Sequence, residues 1–418
     1  MKRIRLLKLS PYCYPEQVSS THLTEDLYEA FSKNGIEVVN YVPTPTRGVD
    51  KAVHRKYKRI KYEERYDGAI KIHRFPMFKE GKNPLLRAFR YVLVNVIQYY
   101  KGSRAKEIDV VYGASTPPTQ GILCALVAKK LSKKYHKKVP FVYCLQDIFP
   151  DSLVNAKMTK RGSIIWKFGR KIESFTYNHA DKIIVISEDF KKNIMHKGVP
   201  SKKIVVIPNW INTDCVYPVK RDQNPLFERY NLDKDRFYIC YSGNIGHSQN
   251  LNLLLKAAVR LQKELPDVCF VLIGEGTAKD KFEESIKKKG IKNIVLLPFQ
   301  PYEDIANVFS LGDAGLIISK AGIGSSSVPS KTWSIMAAGK SIIASFDLNS
   351  ELSRLLQQEN CGLCSDPKSV DSFIDSIKVI KRDPVRANSM GQNGLKYIYS
   401  YLSKEKCVPD YIKLLKMK

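Results

Sequence analysis

The stretch Ser325–Ser345, SSSVPSKTWSIMAAGKSIIAS, decides how the chain is read. It predicts a turn, a helix, a glycine stop and a buried strand. Pro329 suits a first helical turn, where its missing N–H would have had no partner. Lys331–Ala338 continues as a helix, and Gly339 supplies a left-handed stop. Ser341–Ala344 then reads as a short strand buried on both faces. The serines before Pro329 present hydroxyls and N–H groups at the helix start, where partial positive charge suits a phosphate. Lys331 adds a full charge there. An ordinary helix–strand unit of an α/β domain has the same pattern, so spacing alone leaves both readings open.

Outward from this stretch, strands and helices alternate along the whole chain, the pattern of doubly wound α/β domains. The first series opens with strand Ile4–Leu9, helix His22–Asn34 and strand Ile36–Val42. It continues through strand 109–113, helix Gly121–Leu131, strand Val139–Leu145, helix Ile164–Ala180 and strand Lys182–Ile186. Residues 213–236 are polar and Pro-containing and read as a linker. A second series starts at Tyr238 and runs through the quoted stretch to helices near 350–358 and 370–380. The last stretch, 397–418, reads as helical. At 418 residues the chain exceeds what one core serves. The expected domains are therefore 1–212 and 213–396, with 397–418 returning to the first.

Pro329-Ser330-Lys331 and Met336-Ala337-Ala338-Gly339 resemble the donor-site segment of the retaining glycosyltransferases of family 4. They are most similar to the bacterial branch that builds capsule and O-antigen repeat units. The resemblance implies a GT-B fold: two Rossmann-like domains facing a cleft, with a C-terminal helix crossing back to the first. It implies a nucleotide-sugar donor, most simply a UDP-sugar, a lipid-linked or saccharide acceptor, and no metal or other cofactor. Two departures stand out. The family's paired Glu falls on Ser326 and Ser334, so its usual hold on the ribose cannot be carried over. The Arg and Lys that commonly meet the diphosphate fall on Asn244 and Gln249.

Several turns carry the expected chemistry. Gly243-Asn244-Ile245-Gly246 and Gln249 sit between a strand and a helix, where glycine lets backbone approach a ligand. Gly274-Glu275-Gly276 also ends a strand, at the sheet edge where such folds bind ligands; Glu275 equally fits a solvated turn residue. The resemblance places the base against the loop bearing Phe299. Ser330, Lys331 and Lys320 are the candidates for meeting the diphosphate, although Lys320 equally fits a surface lysine. In the first domain, Gln146-Asp147-Ile148-Phe149-Pro150-Asp151-Ser152 resembles a segment of the same branch. Asp147 at a strand end is placed to orient or deprotonate an acceptor hydroxyl; a helix cap is the other reading. Ser19 and Ser20, where the family has a Gly-rich loop, are acceptor-side candidates. Alternatives to transfer are a GT-B nucleotide-sugar 2-epimerase and a non-catalytic partner subunit.

Charge is unevenly placed. Of the formal net charge of +28, +20 lies in residues 1–200, where 38 Lys and Arg face 18 Asp and Glu. That asymmetry points to an anionic partner. No zinc finger, helix-turn-helix or RNP-like motif stands out, which disfavours nucleic acid and leaves an anionic membrane surface. No run of about 20 apolar residues exists to span a bilayer. Leu85–Tyr100, apolar and aromatic with basic flanks, suits either an interfacial helix or a core helix. The nine cysteines are scattered, several inside apolar runs, and no secretory leader is evident. A cytoplasmic protein, peripheral at the inner face of the plasma membrane, is expected. Cys361-Gly-Leu-Cys364 has redox or metal spacing but no second pair.

Overall fold

The structure is a computed structural model that describes residues 3–16, 21–79, 83–155, 158–322 and 328–416. Two compact units divide the chain: 1–209 together with 407–418, and 210–406.

The first unit holds an eight-stranded sheet of β1 (Ile4–Leu9), β2 (Ile36–Pro43), β3 (Tyr62–Arg65), β4 (Ile70–Phe75), β5 (Val110–Ala114), β6 (Phe141–Leu145), β7 (Lys182–Val185) and β8 (Ile204–Val206). Their order is β3-β4-β2-β1-β5-β6-β7-β8. All neighbours are parallel except β3 and β4. The β3–β4 hairpin and the preceding helix Lys51–Arg59 lie in a stretch whose charges mask any apolar period. From Cys407 the chain belongs to this unit, where the buried Tyr411 hydroxyl lies 3.6 Å from Cys144 Sγ on β6.

The second unit is a six-stranded, wholly parallel sheet: β9 (Phe237–Ser242), β10 (Val268–Ile273), β11 (Ile294–Leu297), β12 (Ala314–Ile318), β13 (Ser341–Ser345) and β14 (Gly362–Ser365). The order β11-β10-β9-β12-β13-β14 reverses between β9 and β12. At such a reversal, loops leave the strand ends in opposite directions and open a crevice. Strands β10, β12 and β13 are buried along their whole length, as apolar runs in a helix-covered parallel sheet must be.

The opening stretch folds much as its sequence implies. Its helix runs Lys331–Ala337, Gly339 takes φ +67°, and β13 follows at once. Pro329 sits just ahead of the helix, its carbonyl accepting from the Thr332 N–H at 2.9 Å. The end of the chain is less simple than one helix: Pro384–Tyr397, a π turn at Ile398–Leu402, then Lys404–Lys416.

Residues 213–236 are not a free linker. Leu226 and Phe227 are buried in the second unit, and the Phe227 ring meets Tyr238 of β9 edge-on at 5.8 Å. The polar composition hid two anchoring side chains. Phe227→Ala should therefore lower the stability of this unit by about 3–5 kcal/mol. Denaturant unfolding followed by circular dichroism checks this; a true linker would give almost no change.

Candidate active site

The glycine turns of the second unit are locked into one another. Gly274 has φ +152°, and a Cβ there would lie 2.0 Å from the Gly243 carbonyl oxygen. A Cβ on Gly276 would lie 2.3 Å from the Ile245 carbonyl oxygen. The Gly243 N–H donates to Ile273 O at 3.0 Å, the Ile245 N–H to Glu275 O at 2.9 Å and the Ala278 N–H to Ile245 O at 3.0 Å. The turns after β9 and β10 are thus a single backbone layer, possible only without side chains. From the other side of the reversal, the Lys320 N–H after β12 donates to Ser248 O at 2.9 Å.

Lys331 is the cation of this layer. Its Nζ lies 3.7 Å from the centre of the Tyr241 ring and 3.3 Å from where a Gly243 Cβ would be. Among the described residues no carboxylate pairs with it. Burial lowers its pKa from 10.5 to about 7. The aromatic face stabilises the ammonium while leaving it open to an anion. Tyr241 is fixed in turn, its hydroxyl donating to Asn244 O at 2.6 Å. Sequence reasoning missed Tyr241, because an aromatic inside a strand reads as core.

The other candidates divide. Asn244, Lys320 and Ser330 are exposed, and Phe299 is exposed in the loop after β11, two strands from β9. Gln249 Oε1 accepts from the Gly246 N–H at 2.9 Å and from Ser248 Oγ at 3.2 Å, so that oxygen serves the turn itself. Glu275 pairs with Lys279 at 2.6 Å, which fits a surface turn residue. Ser334 is buried, and Ser326 lies outside the described residues. Among the described residues no three His, Cys, Asp or Glu side chains gather as a metal site.

In the first unit, the chain leaves β6 over Ser115, whose Oγ accepts from the N–H groups of both Gln146 and Asp147 at 3.0 Å. Gln146 Oε1 is held by Asn209 Nδ2 at 2.7 Å. Asp147 is exposed, and partial desolvation raises its carboxyl pKa above the usual range against the Ser152 hydroxyl and the Ile148 N–H. Those two donors also suit a cap, so geometry keeps both roles. Asp151 is taken by Lys197 at 2.8 Å. Ser19 and Ser20 lie outside the described residues.

Comparison with known proteins follows this division of the chain. Residues 21–215 match the model of Glycosyltransferase Family 4, and residues 222–397 that of Glycosyl transferases group 1. The chain belongs to the family 4 glycosyltransferases. It is 24% identical, over 87% of its length and 89% of the relative's, to WcaI of Escherichia coli strain K12, named for colanic acid biosynthesis. It is 27% identical to the glycosyltransferase WbjE of Pseudomonas aeruginosa over 66% of this chain and 67% of that one. Its fold matches that of Anabaena HepE, solved in complex with UDP, with a TM-score of 0.71 at 14% identity over 99% of each chain. The two Rossmann-like domains are those of a GT-B glycosyltransferase.

The interlocked turns give a direct test in this glycosyltransferase. Gly274→Ala forces a clash with the Gly243 carbonyl and a strained φ, so the β9 turn must shift. A loss of roughly 1–3 kcal/mol is expected. Thermal unfolding should show it, and Gly290→Ala, strained by a φ of +62° but with open space for its Cβ, should cost less.

Proposed function

We propose that this enzyme moves a sugar, with retention, from a UDP-sugar to a lipid-linked or saccharide acceptor in bacterial surface polysaccharide biosynthesis. The observation that carries the donor side is the Lys331 ammonium, unpaired by any described carboxylate, over Tyr241 at the reversal between β9 and β12. Beside it, the turns bearing Gly243, Gly246, Gly274 and Gly276 pack backbone on backbone, with no side chains between them. A diphosphate fits there because its charge meets a cation that no described carboxylate neutralises. Asn244, Ser330 and Lys320 are the neighbouring polar groups. The UDP bound to HepE and the polysaccharide role in the WcaI name favour this donor and setting. Retention follows from the family 4 resemblance.

Catalysis in this proposal rests on orientation and on charge stabilisation at the leaving diphosphate. Lys331 offsets charge as the sugar–phosphate bond breaks. Asp147 is the acceptor-side residue, its raised pKa giving the carboxylate more basicity than a solvated aspartate.

Lys331 makes donor binding pH-dependent. Free, it titrates at about 7; beside a diphosphate its pKa must rise, so binding takes up a proton above neutrality. Above about pH 7, UDP affinity should fall by up to about tenfold per pH unit. Lys331→Ala should cost about 1–3 kcal/mol in binding and abolish that slope. Titration calorimetry from pH 6 to pH 9, roughly one unit below and two above the Lys331 midpoint, reads both. Undiminished binding by the variant would remove Lys331 from the site.

Asp147→Asn should cut transfer by about 10²-fold or more while leaving UDP affinity unchanged. Single-turnover transfer beside UDP titration separates the two; normal transfer would reduce Asp147 to a cap.

A further inference from the structure

The helix Pro84–Gly102 is built inside out. Its inward row carries polar groups: Arg90 and Gln98 are fully buried. Arg90 Nη2 donates to Thr46 Oγ1 at 3.2 Å, and Gln98 Nε2 donates to Ser10 O at 2.8 Å and Tyr41 O at 2.7 Å. These side chains tie the helix to the chain just past β1, to β2 itself and to the segment that follows β2. The outward row at positions 85, 89, 92 and 96 is apolar, with Leu85 81% and Phe89 60% exposed. That spacing makes one continuous stripe. A helix in water is expected to have the reverse arrangement.

A second apolar tip stands on the same side. At the start of helix Ile164–His179, Ile164 is 88% and Phe168 65% exposed, with Ile165 exposed between them. Helix Thr119–Tyr135 packs between the two helices. Both outer helices start beyond the C-terminal edge of the sheet: Gln98, near the end of the first, bonds Ser10 O just past β1, and Thr176, near the end of the second, meets Gly121 at the start of the helix that follows β5. Packed helices lie about 8–10 Å apart, so the two outer helix axes lie roughly 16–20 Å apart where they flank the middle one. The second tip also abuts the Asp147 loop: a Cβ on Gly169 would meet Pro150 at 2.7 Å.

Charge selects the occupant. Helices Pro84–Gly102 and Thr119–Tyr135 contain no Asp or Glu, and neither does 158–172. Exposed Arg87, Lys160, Arg161, Lys167 and Lys171 surround the tips. A second copy would bring the same cations face to face. An anionic bilayer offers apolar depth for the stripe and phosphate for the rim.

We propose that the stripe Leu85–Phe89–Val92–Val96 and the tip Ile164–Ile165–Phe168 enter an anionic leaflet together, setting the Asp147 loop at the lipid surface. The purpose rests on the lipid-linked acceptor read above, but lipid binding and UDP binding can fail separately.

The test is flotation of the full-length protein with phosphatidylcholine vesicles, with and without phosphatidylglycerol, at low and high salt. The wild type should float with anionic vesicles, and a fraction should persist at high salt, since apolar insertion is not screened. Ile164→Asp/Phe168→Asp and Leu85→Asp/Phe89→Asp should each lose about tenfold or more in partitioning, with unchanged melting and UDP binding. Trp166, beside the second tip, should be quenched by brominated lipid, and Trp166→Phe should lose that signal. Flotation equal to wild type in both double variants, or bound protein with Trp166 unquenched, would overturn the proposal. So would a wild type that does not float but self-associates through these residues by sedimentation.

Discussion

The donor-side unit depends on one close approach: the Gly243 carbonyl against Gly274, where even a methyl group has no room. Because the turns after β9 and β10 touch through backbone alone, the sheet can present two successive strand ends as one surface. Everything proposed for that unit is arranged on it. Tyr241 anchors the β9 turn through its hydroxyl and offers its ring to Lys331. The lysine then sits in a partly desolvated place, paired with an aromatic face and not with a carboxylate. Its depressed pKa reflects a charge held ready at a cost, which an anionic ligand would relieve.

The departures from the family's usual residues make sense on this surface. Asn244 and Gln249 stand where cations are common, and Gln249 spends its oxygen closing the turn at Gly246. A turn held by its own amide needs no ligand to stay closed. Lys331 is then the cation that a desolvated diphosphate would meet first. Ser334 is buried within the helix of the donor segment, so it does not take the place of a carboxylate facing a ribose.

Much of this was legible in the sequence wherever apolar runs were bounded by glycine. Helix Lys331–Ala337, Gly339 and β13 follow from propensity and the stop residue alone. The alternating series predicts two doubly wound α/β domains, though not the antiparallel β3 at the edge of the first sheet. What was not legible has physical causes. The β3–β4 hairpin is amphipathic only weakly, because Glu63 pairs with Arg65 along β3 and with Arg74 across the hairpin, and charged residues occupy positions expected to be apolar. Phe227 is a lone anchor in a polar segment. The roles of Gln249 and Glu275 turn on side-chain direction, which a motif does not encode. The helix Pro84–Gly102 was readable as apolar, but only the fold shows that Arg90 and Gln98 face inward and the leucine and phenylalanine outward.

The most direct measurement of the central claim is a crystal structure of the protein with UDP. The diphosphate should lie within hydrogen-bonding distance of Lys331 Nζ and of backbone N–H groups in the Gly243–Gly246 turn, with Lys331 still over Tyr241. A diphosphate bound away from the reversal between β9 and β12, with Lys331 untouched, would contradict the assignment of the donor site.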